Sequence, residues 1–268
     1  MSHSRSLALL LLLGALPGAA AAAPAPAERD ILYYSATWAG LPAAKIRFEL
    51  DEAGPDYSGK IAIETEGLAH WLTRFRAEAS VEGRLEGGTG AAPSRYDARY
   101  DLRKWRARRV EMRFVAHEGA LIAERGKDDT SHKPQLAESF RRNVLDPISA
   151  VAVIREVLRR EAPKPGRHFT VAVYDGARRF DVATRVLAAG GEDRLIHLRL
   201  MLRPLAGFKG ESSDEGDPDD SPRPAEVTMT DDGRYMLASM TVSVVFLPFT
   251  VRLDHPCASF AACGEAKR

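Results

Sequence analysis

The chain has 268 residues, with Lys plus Arg 38 against Asp plus Glu 37 and a formal net charge of +1. That balance, with no basic stripe interleaved with aromatics, argues against a nucleic-acid partner. The 45% of hydrophobic residues supply enough apolar side chain to bury a core without metal or many disulfides.

At the start, Arg5 precedes the apolar run Leu7 to Leu16, and small residues from Gly18 to Ala23 come after it. This order is that of a secretory signal, expected over residues 1–27. The run is far short of the roughly 20 residues that span a bilayer, and no later segment is long and uncharged enough to do so, so no transmembrane segment is expected. Residues 28–268 then form a single domain, placed by the signal in the periplasm.

Period-two alternation dominates residues 28–268. It appears at Ile46, Phe48, Leu50, at Tyr57, Gly59, Ile61, Ile63, and through Ala79 to Glu86. It recurs at Val110, Met112, Phe114, at Phe180, Val182, Val186, and at Ile196, Leu198, Leu200, Leu202. Alternation puts one face in the core and the other in water. Turn residues separate the runs, as at Gly54-Pro55-Asp56, Asp175-Gly176 and Asp231-Asp232-Gly233, so successive strands pair antiparallel. The pattern predicts a mainly β fold, an antiparallel curved sheet or open barrel of roughly ten to twelve strands. Between these runs, Leu68-Ala69-His70-Trp71-Leu72, with Phe75 beyond, is an apolar cluster outside clean alternation.

One segment changes period. Asp146-Pro147 offers an N-cap followed by proline at the first helical position, and Ile148, Val151, Ile154, Val157 and Leu158 recur at helical spacing. A single amphipathic helix is predicted over residues 147–161, with one buried stripe laid against an open side or mouth of the sheet. The run 207–224 is rich in Asp, Glu, Gly and Pro and reads as a flexible acidic loop. Its Asp214, Asp217, Asp219 and Asp220 match no regular calcium-loop spacing.

Near the C-terminus, Val242 and Val244 with Phe246 mark one face of a strand, whereas Leu247, Phe249, Val251 and Leu253 mark the other. A bulge near Pro248 would keep both sets inside. Cys257 and Cys263, in a chain bound for an oxidising compartment, predict a local disulfide, and the lone nearby His255 does not make a zinc site. No metal or cofactor is expected.

Catalytic signatures are wanting: the histidines are scattered, no His-Glu-x-x-His pair occurs, and Gly210-Glu211-Ser212 lacks the second glycine of a nucleophile elbow. Glu64 and Glu66 share a face opposite Ile61 and Ile63, most simply a solvated one. No catalytic residue is assigned.

The segment Leu32 to Ala44, the Gly67 to Phe75 segment, the Asp146-Pro147-Ile148-Ser149-Ala150 helix entry and the Asp175-Gly176 hairpin together resemble the exported bacterial family known as domain of unknown function 3108. The resemblance covers most of residues 28–268 and carries no catalytic residues. It implies a likeness in outline to periplasmic half-barrel carriers of lipids and lipoproteins.

Three functions are compatible with these features. A non-enzymatic carrier of an apolar, lipid-like small molecule would draw its pocket from Trp38, Leu68, Trp71, Phe75, Ile154, Phe246 and Phe249. An envelope scaffold binding a protein partner would have a filled core instead. An envelope hydrolase, the least favoured, would need distant residues to converge.

Overall fold

Alternation carries through to a continuous antiparallel sheet. The computed structural model describes residues 28–86, 90–103, 105–208, 221–244 and 247–257. The expected signal segment 1–27, Cys263 and therefore the Cys257–Cys263 bond, Phe246, and most of the 207–224 run lie outside the described residues; within that run Arg223 and Pro224 already belong to a strand.

The first meander comprises β1 (Glu28–Trp38), β2 (Leu41–Ala53), β3 (Asp56–Thr65), a short helix α1 (Gly67–Thr73), β4 (Arg76–Glu86), β5 (Gly90–Leu102), β6 (Trp105–His117) and β7 (Ala120–Arg125). After a 3-10 turn at Glu138–Phe140 comes α2 (Pro147–Arg160). The second meander comprises β8 (His168–Tyr174), β9 (Arg179–Ala188), β10 (Leu195–Ala206), β11 (Arg223–Thr230), β12 (Leu237–Val244) and β13 (Leu247–Cys257). The sheet has 13 strands, ordered β7-β6-β5-β4-β3-β2-β1-β13-β12-β11-β10-β9-β8. This exceeds the expected ten to twelve because the edge strand β7 and the short strand β8 carry too few alternating positions to stand out. Among the described residues no helix is long and apolar enough to cross a membrane.

Two seams turn the sheet into a nearly closed barrel. At the first, β1 pairs with β13, from Ile31 opposite Cys257 to Trp38 opposite Phe249. At the second, the strand edges β7 and β8 do not pair directly; the chain between them bridges both. The Ala123 amide donates to the Arg141 carbonyl (2.9 Å) and the Asn143 amide to Leu121 (2.7 Å), while Leu145 donates to Ala172 and accepts from Tyr174, both at 2.8 Å. The edge groups that would otherwise invite aggregation are thereby satisfied.

The phase change near Pro248 has a different origin from the expected bulge. Val244 pairs with Leu247 and Val242 with Phe249, so β12 and β13 form a hairpin. Directly opposed residues share a face, and the reversal of direction carries both apolar sets to the same side.

The expectation of a single helix is also corrected. A second, α1, fills the connection between β3 and β4, and α2 ends at Arg160. Nor has α2 one buried stripe: Ser149, Ala150, Ala152, Val153, Arg155 and Glu156 are buried along with Ile148, Ile154, Val157 and Leu158. Its partners Asp30 at the start of β1, Glu52 at the end of β2 and the Arg234 carbonyl in the β11–β12 turn place the helix at the end of the barrel away from α1. Close approach is possible because Gly59 of β3 faces it, where a Cβ would come within 2.5 Å of Ile148 Cγ2.

Its entry is capped as the sequence predicts. Asp146 Oδ1 accepts from the amides of Ile148 (2.9 Å) and Ser149 (3.0 Å), and its second oxygen accepts from the Ser149 hydroxyl. That hydroxyl also meets Tyr57 Oη at 2.6 Å. Burial pushes the Asp146 carboxyl above the ordinary carboxylate pKa, with the Ser149 hydrogen bonds opposing the shift. A raised native pKa means that the folded state holds the proton more tightly than the unfolded chain, so the ionised cap costs stability once pH exceeds that pKa. Asp146→Asn, which keeps an acceptor without the charge, is expected to match or exceed the wild type at neutral pH, the margin shrinking as pH falls through the raised pKa. Asp146→Ala, which strands two buried amides, should be less stable than Asp146→Asn by about 1–2 kcal/mol. Urea unfolding of the three proteins at neutral and acidic pH measures both differences.

Candidate functional site

The two flanks of α2 meet unlike surroundings. On one, Ala150, Val153, Ile154, Val157 and Leu158 pack against Val171, Val173, Val182, Val186, Ile196 and Leu198 of β8, β9 and β10, with Val227 and Met229 of β11. β-Branched and leucyl side chains from four adjacent strands fill this half. On the other, the inward positions of β4 and β5 include Ala77, Ala79 and Ala98, and Ala79 stands opposite Ala98 in the ladder. Alanine occupies too little volume to reach the helix.

A cavity of about 630 Å³ results. Its floor is one face of α2, formed by Pro147, Ile148, Val151 and Arg155. Its walls include Leu32, Tyr34, Ile46, Phe48, Ile61, Ile63, Tyr96 and Tyr100, with Met240 and Val251 from the second meander. Phe75, Leu102 and Arg178 carry the lining to the α1 end of the barrel. Val151 is 37% exposed although it faces inward, so the cavity is reached by solvent. The surface is dominated by hydrocarbon and phenol rings, as expected of a site for an apolar ligand.

Charged groups on the lining are Glu78, Arg99, Asp175 and Arg178 along the walls and Arg155 at the floor. Arg155, 2% exposed, pairs through Nη2 with Asp30 Oδ2 at 2.5 Å and donates from Nε to the Arg234 carbonyl at 2.9 Å. Glu52 accepts from Arg159 at 2.5 Å and lies 3.9 Å from Arg155. Buried charge is tolerated only when paired, and here each buried guanidinium has a carboxylate beside it. Burial raises the Tyr34 phenol above its ordinary pKa, the Arg155 charge opposing this and that of Asp30 adding to it. Tyr57 is likewise raised by burial, against its hydrogen bond with Ser149, so both phenols stay neutral in the physiological range.

The residues expected to form the pocket are dispersed. Phe75 lines the cavity. Trp38 is half-buried at the end of β1, its indole directed to the Val244 carbonyl at 3.4 Å, and Phe249 packs on the core beside it. Leu68 and Trp71 are 54% and 68% exposed on α1, which buries no residue. Ile154 faces the filled half, across the helix from the cavity. The phenol and aliphatic lining at Tyr34, Ile46, Phe48, Ile63 and Tyr96 does not stand out in the sequence as a site because it consists of inward positions of ordinary strands. Alternation reports the face of a residue but not its height along the barrel.

A second concavity, of about 590 Å³, lies on the outer face of β2 to β6 and is lined by charged residues. Arg47 pairs there with Glu49 at 2.7 Å, Arg95 with Glu111 at 3.1 Å, and Arg109 with Asp97. Its charges are mutually compensated, as on a solvated sheet face. Glu64 is exposed and paired with Arg76 at 2.6 Å. Among the described residues no group of three or more His, Cys, Asp or Glu is placed to hold a metal ion.

Comparison with known proteins agrees with this architecture. The sequence profile of the family described as "Protein of unknown function (DUF3108)" matches residues 33–191. No curated protein matches the chain. Among solved structures the chain is similar to the beta-barrel-like protein of domain of unknown function DUF1849 from Brucella abortus, with a TM-score of 0.54 and 9% identity over 86% of this chain and 96% of that one. At that identity the likeness is one of fold.

The asymmetry of α2 gives a direct test. Ile154→Ala, on the filled side, should cost about 2–5 kcal/mol. Val151→Ala, whose methyls face open space, should cost less than about 1 kcal/mol because little packing is lost. Denaturant unfolding of the two variants separates the flanks.

Proposed function

The chain belongs to the DUF3108 family, and from that premise we propose that it is a non-enzymatic periplasmic protein that binds an apolar, lipid-like ligand inside its barrel. The observation that carries this reading is the half-filled interior: one flank of α2 packs against a cluster of buried side chains, and the other borders a cavity of about 630 Å³ whose walls include alanines, aliphatic groups and phenols. A volume in that range suits a single acyl chain or a compact apolar molecule. The absence of bulk there is specific to one wall. A filled core would need larger side chains at Ala77, Ala79 and Ala98, positions the sheet directs inward.

The floor supports an oriented ligand. Arg155, held beside Asp30 near the start of β1, stands at the end of the cavity away from α1, where its Nη1 has no hydrogen-bond partner among the described residues and is placed to donate to a polar head. The remaining parts of the reading come from sequence. Residues 1–27 serve as the export signal, and Cys257 pairs with Cys263 once the chain reaches an oxidising compartment.

Mass spectrometry of organic extracts from the natively purified protein should recover a lipid-like molecule in near-stoichiometric amount. An environment-sensitive acyl probe should bind the delipidated wild type and be displaced by that extract. Ala79→Leu combined with Ala98→Leu, which narrows the cavity at its alanine wall, should weaken probe binding by about tenfold or more while leaving the melting temperature unchanged or raised, because cavity filling stabilises where core overpacking does not. Absence of probe binding to the wild type, with no lipid recovered, would refute the reading.

A further inference from the structure

The α1 end of the barrel carries apolar side chains that the fold does not use. Leu68, Trp71 and Leu72 of α1 are all exposed, and so are Leu41 beside it and Leu247 at the start of β13. Backbone contacts hold these elements together. The Glu66 amide donates to the Ala43 carbonyl (2.8 Å), joining the start of α1 to β2, and the Ala39 amide donates to Pro248 (2.9 Å), joining the β1–β2 turn to β13. The Arg103 amide donates to Thr73 (2.7 Å), adding the end of β5. The rim is therefore one surface built from three connections rather than scattered leucines, and a contiguous exposed apolar patch marks an interaction site.

The charges around it favour one kind of partner. Arg74, held in the left-handed region (φ 50°) at the end of α1, and Arg103 are both exposed and have no ion-pair partner among the described residues. Arg76 is paired with Glu64 at 2.6 Å, which leaves Glu66 as the acid on the approach to α1. A tryptophan flanked by leucines and bordered by free guanidinium groups suits the boundary between headgroups and acyl chains, where indole and arginine are both favoured. The patch lies at the strand ends around one short helix. It also adjoins the cavity, since Phe75, two residues past α1, lines it.

We propose that the α1 rim docks onto a phospholipid bilayer bearing anionic headgroups, presenting the cavity mouth to the membrane. The purpose of this docking rests on the proposed ligand binding, but its detection does not, because docking is measured with vesicles and no cavity ligand.

The test is flotation of the mature chain with vesicles of phosphatidylethanolamine alone or mixed with phosphatidylglycerol. Binding is expected to the mixed vesicles and to fall with added salt. Leu68→Ser with Trp71→Ser should weaken it about tenfold or more without changing the melting temperature or the uptake of acyl probe from solution. Arg74→Gln and Arg103→Gln should each weaken it roughly fivefold. Three results would overturn the proposal: no flotation of the wild type, unchanged flotation of the Leu68/Trp71 variant, or wild-type self-association in sedimentation velocity that the same variant abolishes. Probe uptake by a wild type that fails to float removes docking and leaves the cavity reading. Flotation without probe uptake supports docking and removes the cavity reading.

Discussion

The placement of α2 rests on the ion pair between Arg155 and Asp30, which ties the middle of the helix to the first strand at 2.5 Å across 125 residues of sequence. Two charges taken out of water at that depth destabilise unless they meet, so the pair specifies where the helix sits even where it adds little net stability. That position decides the interior. With Arg155 held against β1, Ile154, Val157 and Leu158 are turned onto β8 to β11, and Ile148 and Val151 are turned toward β3 to β5. The filled and unfilled halves of the barrel are the two sides of one anchored helix.

What separates those halves is side-chain volume at inward positions. Strands β8 to β11 offer valine, isoleucine and leucine to the helix, and the space closes. Strands β4 and β5 place Ala77, Ala79 and Ala98 between the larger Val81, Tyr96 and Tyr100, and it does not. The sheet itself is continuous and antiparallel on both sides, so backbone geometry makes no distinction between core and cavity here. Polar groups also gather on the helix, where the Asp146 cap, the Ser149–Tyr57 hydrogen bond and the Arg155 pair all lie.

Much of this is legible in the chain. Period-two runs at Ile46 to Leu50, Tyr57 to Ile63 and Ile196 to Leu202 identify strands and their inward faces, because one-sided burial writes itself directly into alternation. Asp146-Pro147 identifies the start of α2, because capping chemistry is local. Other features are not legible, for physical reasons. Arg155 reads as part of a polar face because helical periodicity cannot anticipate a carboxylate arriving from Asp30. Leu68 and Trp71 read as pocket residues because hydrophobicity carries no sign of whether a side chain points into the barrel or off its rim. The cavity lining reads as strand interior, and its emptiness depends on Ala79 meeting Ala98 in register and on the face that α2 turns toward them, which are relations between elements.

The β1–β13 seam also orders assembly in time. Each meander is built from hairpins whose partners are neighbours in sequence, so either can zip locally and fast, but β1 must hold an open edge until a strand more than two hundred residues later has been made. The barrel therefore cannot close while its last strand is still unmade. One edge of the first strand waits for the last, and the interior stays unsealed until the whole sheet is in place.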